Sequence, residues 1–146
     1  DFASNSVALL DIGEQTKIRT ADVGQGPIAG FVMHGDRYGV TINSTARTAS
    51  VVDLASSGER MAVSTLMLSG EPRKARLSHD RSTLFVTLGG QDNPPRGQGV
   101  AVISGDPPEV RATIPTGAGA ISVAVAKDGS RAAVVNYFAK SITVLE

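Results

Sequence analysis

Apolar and polar positions alternate along the chain in short runs, each closed by a cluster of Gly, Pro, Asp, Asn or Ser. The runs SVALLD from Ser6, TASVVD from Thr48, GVAVIS from Gly99 and SITVLE from Ser141 superpose: a small or polar start, alternating apolar residues, a polar end. A period of two places successive side chains on opposite faces of a strand. The β-branched residues in these runs suit a pleated, half-buried sheet. One stretch, 59–68, competes for a helix, and Val63, Ser64 and Thr65 weaken that reading.

The four runs start 42, 51 and 42 residues apart (6 to 48, 48 to 99, 99 to 141). A period of roughly 40–45 residues is that of one four-stranded propeller blade. The longer middle spacing is explained by GGQDNPPRGQG at 89–99, a Gly, Pro and Asn cluster expected to lengthen a loop. Each repeat then predicts an inner strand (28–34, 74–79, 121–127), a second (38–43, 83–88, 132–137), a third (the superposed runs) and an outer one (17–23, 60–68, 110–116).

The expected fold class is all-β, with β-propeller blades of four antiparallel strands forming an incomplete ring. The predicted division is a partial blade at 1–26, blades at 27–69 and 70–118, and a partial blade at 119–146. Repeat proteins bury each unit against its neighbours, and propellers have roughly four to eight blades. The segment is therefore expected to be completed by further blades, from another chain or from copies of itself.

The turns have local reasons. Asp128-Gly129-Ser130 offers a glycine for a positive φ and an aspartate that bonds its own turn, and Ser56-Ser57-Gly58 does the same between third and outer strands. Gly24-Gln25-Gly26-Pro27, Gly70-Glu71-Pro72 and Gly117-Ala118-Gly119 mark the returns from rim to centre. The stretch IPTGAG at 114–119 with VAVAKDGSRAAVVNYFAKSITVLE at 123–146 resembles the YVTN family of bacterial propeller repeats. VGQGP and SNSVALLD carry the likeness in the first repeat; it weakens in the second, where Arg81 follows Asp80. The resemblance implies a propeller in an extracytoplasmic bacterial setting, whether periplasmic, secreted or cell-surface. Similar blades build amine dehydrogenase heavy subunits and lactonase-type enzymes, so it implies no single activity.

Composition narrows the chemistry. Fourteen basic and fourteen acidic residues leave no net charge, which removes the general electrostatic reason for a nucleic-acid partner. The absence of cysteine excludes disulfides and thiolate sites. No apolar run approaches the roughly 20 residues of a spanning helix. The first residues, DFASNSVALLDI, lack the basic start and cleavage site of a signal peptide, so any export signal is expected outside this stretch.

No catalytic, metal or cofactor site is predicted. His34 and His79 stand two residues and one residue before their repeat aspartates, Asp36 and Asp80, so they leave the strands on opposite sides and read as turn residues. Asp11, Asp53 and Glu146 recur at one repeat position, which favours turn caps or inter-blade bonds over catalysis. Ser78, His79 and Asp80 are too close in sequence on a hairpin to form a relay. Gly24-Gln25-Gly26 precedes a strand, not the helix N-terminus that holds a phosphate.

The loops between outer and inner strands and between second and third strands carry Arg47, Arg73, Lys74, Arg96 and Lys140 against Glu71 and Asp92. This basic bias on a neutral chain predicts a face for an acidic protein surface or an anionic small molecule, with the long loop 89–98 and Arg96 at its end as the first place of contact. Phe2, Tyr137 and Phe138 lie in the same class of loop, where they would add an apolar contact to that face or, as is expected first, pack between blades. The expected function is a protein- or ligand-binding scaffold. The rival is a segment of a propeller enzyme, a quinone or haem oxidoreductase subunit or a lactonase-like hydrolase, with its catalytic groups outside this segment.

Overall fold

Four antiparallel sheets stand side by side in the computed structural model, which describes residues 2–89 and 99–146. The first holds β1 (Ser6–Asp11) and β2 (Thr16–Asp22). The second is ordered β3 (Pro27–Met33), β4 (Tyr38–Asn43), β5 (Thr48–Asp53), β6 (Ala62–Met67). The third repeats it with β7 (Pro72–Leu77), β8 (Thr83–Leu88), β9 (Gly99–Ser104) and β10 (Glu109–Ile114). The fourth holds β11 (Ala120–Val125), β12 (Ala132–Asn136) and β13 (Ser141–Leu145). The sheets of β3–β6 and β7–β10 are blades one and two below, and that of β11–β13 is blade three.

Within each sheet the strands run in chain order, as short hairpin connections require. Between sheets, β7 packs on β3 and β11, whereas β6 packs on β2 and β10. The first strand of each blade thus faces the axis and the fourth faces the rim. The stretch 59–68 is a strand over Ala62–Met67, in register with β5 from Asp53↔Ala62 to Thr48↔Met67, so pairing overrides its helical competitor.

Alternation places the core in the seams between blades. Val40, Ile42, Ala49 and Val51 of blade one meet Leu84, Val86, Leu88, Ala101 and Ile103 of blade two, all buried. The next seam joins Val100 and Phe85 to Val123, Ala132 and Val134. At the first seam Val7 and Leu9 cover Val52 and Met61. Polar bridges close the seam between blades one and two below its apolar layer. The Tyr38 hydroxyl donates to Asp106 Oδ1 at 2.8 Å, and Arg81 pairs with Asp36 at 3.0 Å. The Asp106 bond also holds the Tyr38 phenol proton, raising its pKa from the ordinary value.

Two buried asparagines end equivalent strands. Asn43 Nδ2 donates to Thr48 Oγ1 at 3.0 Å and Ser50 Oγ at 2.9 Å, while its Oδ1 accepts from Thr41 at 3.2 Å. Asn136 Nδ2 donates likewise to Ser141 and Thr143, at 3.2 and 2.8 Å. Val134 stands where Thr41 stands in blade one, so Asn136 Oδ1 is buried without a donor among the described residues. Buried polar atoms are normally paired, which makes this a weak point of blade three.

Candidate functional site

Bulges in the axial strands position the basic residues. Register shifts fall at the same place in all three, between Pro27 and Ala29, Pro72 and Ala75, and Ala120 and Ser122. The axial strands accordingly start earlier than the expected 28, 74 and 121. A bulge re-aims side chains and leaves backbone groups unpaired. In β7 the bulge sets Arg73 and Lys74 opposite the single residue Thr87, whose hydroxyl accepts from Lys74 N–H at 3.0 Å and donates to Lys74 O at 3.1 Å. Lys74 is held by its backbone and exposed in its side chain.

Arg73 is committed differently. Its Nε donates to Gly89 O at 2.9 Å and its Nη1 pairs with Glu71 Oε1 at 3.2 Å. This half-buried guanidinium ties the end of β8 to the turn before β7. Gly89 itself has no room for a side chain, since a Cβ there would run into the Ala120 carbonyl. Blades two and three therefore meet closely at this level.

Arg47 and Lys140 occupy equivalent places, the last residue of a four-residue turn, at φ 55° and 50°. Each turn is pinned to the preceding rim-to-centre return by the same bonds. Ser44 N donates to Gly26 O and Tyr137 N to Gly119 O, both at 2.8 Å. Ala46 N donates to Gln25 O and Ala139 N to Ala118 O, at 3.1 and 3.0 Å. Both kinds of connection thus share one face, as the repeat implies.

On that face a groove of about 500 Å³ opens between β7 and β11, lined by Arg73, Lys74, Gly89, Ile121, Ser122, Tyr137 and Phe138. Its volume lies in the roughly 300–1,000 Å³ range of small-molecule sites. Lys140 lies beside Tyr137 and Ile142 on a neighbouring shallow surface, and Arg47 lines neither. Of the residues expected at the site, Arg73 and Lys74 are brought together. Arg96 lies outside the described residues.

Tyr137 and Phe138 are 64% and 52% exposed, and their rings meet edge to face at 5.3 Å. They line the groove, and Tyr137 also borders the surface that holds Val135 and Ile142. Phe2 is exposed as well.

Of the other candidates, the aspartates serve their turns and Glu146 makes an exposed ion pair. Asp11 Oδ1 accepts from Glu14 N–H at 3.0 Å, Asp53 Oδ1 from Ala55 N–H at 2.9 Å, and Glu146 pairs with Arg131 at 3.2 Å. Ser78 donates directly to Asp80 Oδ1 at 2.6 Å while His79 is exposed, so no relay is formed. The Ser78 hydroxyl, helped by the hydroxyl and N–H of Ser82, holds the Asp80 carboxyl at a pKa of about 2. Ser130, through its N–H and then its hydroxyl, lowers Asp128 in the same manner. Among the described residues no three His, Cys, Asp or Glu side chains gather as a metal site.

The fold is that of a β-propeller. The chain superposes on Kuenenia stuttgartiensis hydrazine synthase with a TM-score of 0.76 and 20% identity, over 92% of this chain and 37% of that one. A protein from Lactobacillus plantarum gives 0.69 and 13%, over 97% and 48%. The Pseudomonas aeruginosa periplasmic gluconolactonase gives 0.56 and 15%, over 89% and 44%. The chain thus spans less than half the length of these structures. At these identities the likeness is one of fold. No family model and no curated protein sequence matches the chain.

One feature of the site was not read from the sequence, and a second was read only as one of two alternatives. The anchoring of Arg73 depends on a bulge register that single-sequence patterning does not encode. The aromatic wall does leave a signal: aligning STAR at 44–47 with YFAK at 137–140 shows Tyr and Phe where blade one has Ser and Thr.

Proposed function

We propose that this chain is the segment of a bacterial, extracytoplasmic propeller of YVTN type that binds an anionic small molecule on its loop face. The observation that carries the reading is the groove between β7 and β11, with Lys74 exposed on its wall in a chain of zero net charge. The bulge fixes where the Lys74 backbone sits on that wall, and its exposed side chain extends from there. Arg73 contributes by fixing the wall, since its Nε and Nη1 are engaged. The YVTN resemblance supports the setting.

Further blades complete the ring in this reading. Val135, Ile142 and Val144 are exposed in blade three, whereas their equivalents Ile42, Ala49 and Val51 are buried against blade two. That surface suits another blade. A native particle of one 15.0 kDa chain that unfolds cooperatively would overturn this part of the reading.

The anion site is tested by titrating the chain with acetate and benzoate at low and high salt, followed by amide NMR shifts. Shifts around 73–75 and 121–122 that weaken with salt and vanish in Lys74→Glu are expected. Equal binding by Lys74→Glu would reject the site.

A further inference from the structure

We infer that the groove selects anions carrying a flat aromatic ring, with Tyr137 and Phe138 as the ring-binding wall and Lys74 as the charge-binding wall; this rests on the anion-site reading above. The inference begins with a mismatch between two turns that are otherwise alike. Ser44–Arg47 and Tyr137–Lys140 share their backbone bonds, their positive φ at the last residue and their place in the blade. The turn in blade one is built with Ser44 and Thr45, so its geometry has no need of aromatic side chains.

Blade three nonetheless places two large rings there, largely in solvent. The scaffold also holds one of them in place. Gly119, at φ +74°, lies under Phe138, and a Cβ there would come within 2.5 Å of Phe138 Cδ2. Gly26 stands under Thr45 in blade one, so the glycine is common to both turns and the ring is what differs. Tyr137 packs edge to face on Phe138, which restrains its ring too.

The opposite wall is cationic, and among the described residues neither Arg73 nor Lys74 stacks on either ring. Charge and aromatic surface are therefore both available across a space of about 500 Å³. Ile121 and Ser122 lie between them on the bulge of β11. Such a groove rewards a ligand with a planar apolar body and an acidic group at one end. The body stacks on Tyr137 and Phe138 while the carboxylate meets the Lys74 ammonium. A bare inorganic ion satisfies one wall alone.

The experiment is calorimetric titration of the full chain with 2-naphthoate, cyclohexanecarboxylate and acetate. It is repeated on Lys74→Gln and on the double variant Tyr137→Ser with Phe138→Thr, which reproduces the residues of blade one. The inference predicts that 2-naphthoate binds at least about tenfold more tightly than acetate and more tightly than cyclohexanecarboxylate. The double variant should lose that preference, with acetate affinity unchanged, and Lys74→Gln should weaken all three anions. Equal affinities in the unmodified chain, or a preference that survives the double variant, would overturn the aromatic wall while leaving the anion site standing. Anion affinities indifferent to Lys74→Gln, or no binding of any of the three, would overturn both.

Discussion

Blades one and three are built on one plan and use it differently. Their second and third strands pair in the same register, Asn43↔Thr48 matching Asn136↔Ser141. Both end the second strand in a buried asparagine that donates to two hydroxyls. Both turn through four residues closed by a basic residue at positive φ. Blade one completes its polar cluster with Thr41 and fills its turn with Ser44 and Thr45. Blade three leaves Asn136 Oδ1 without a donor and fills its turn with exposed aromatics. The backbone bonds are the common frame, and the side chains they do not require are where binding chemistry can differ.

The largest expected contrast is at equivalent apolar positions. Ile42→Ala, at a fully buried site between blades one and two, should cost about 2–5 kcal/mol by denaturant unfolding. Val135→Ala, its counterpart with 42% exposure, should cost under about 1 kcal/mol. Similar losses at both positions would mean that blade three is covered as blade one is.

The asparagine clusters provide a second contrast. Asn43→Ala leaves Thr41, Thr48 and Ser50 without their shared partner and should destabilise by about 1–3 kcal/mol. Val134→Thr offers Asn136 Oδ1 the hydroxyl that Thr41 gives Asn43, and should add about 0.5–1.5 kcal/mol. A loss of stability in Val134→Thr would show that the two clusters differ in more than one missing donor.

A smaller effect separates the Asp80 and Asp128 turns at low pH. Asp80 accepts from three donors and Asp128 from two. Both folded carboxyls titrate below the ordinary 3.8, Asp80 at about 2. Their stabilisation is therefore fully present above the unfolded pKa of about 3.9 and is lost as pH falls through the folded value. Unfolding curves from pH 5 to pH 2 should be flatter for Asp80→Asn than for the unmodified chain, and flattened less by Asp128→Asn. Parallel curves for all three would contradict the bonding at these turns.

The strand order was legible because each repeat restates the others: four superposed runs set the third strands, and the turns between them place the rest. The shared face of the two loop classes followed from the same pattern, which put Arg73 and Lys74 on it together with Arg47, Arg96 and Lys140; the groove between β7 and β11 did not. What the pattern did not encode was division of labour. Arg73 and Lys74 are adjacent cations in sequence, yet a two-residue bulge opposite Thr87 engages one guanidinium with Gly89 and Glu71 and leaves the ammonium outward. Tyr137 and Phe138 could be read either as seam residues or as an apolar contact on the loop face. The pinned turn, with its glycine beneath Phe138, places both rings along the groove.

The separation of frame from binding surface is tested most directly by the unfolding free energy of the double variant Tyr137→Ser with Phe138→Thr. The frame requires only the backbone bonds from Tyr137 and Ala139 to Gly119 and Ala118. Giving blade three the turn of blade one should therefore leave stability within about 0.5 kcal/mol of the unmodified chain. A loss of about 2 kcal/mol or more, the size expected when core packing is removed, would show the two rings to be part of the fold and contradict the account.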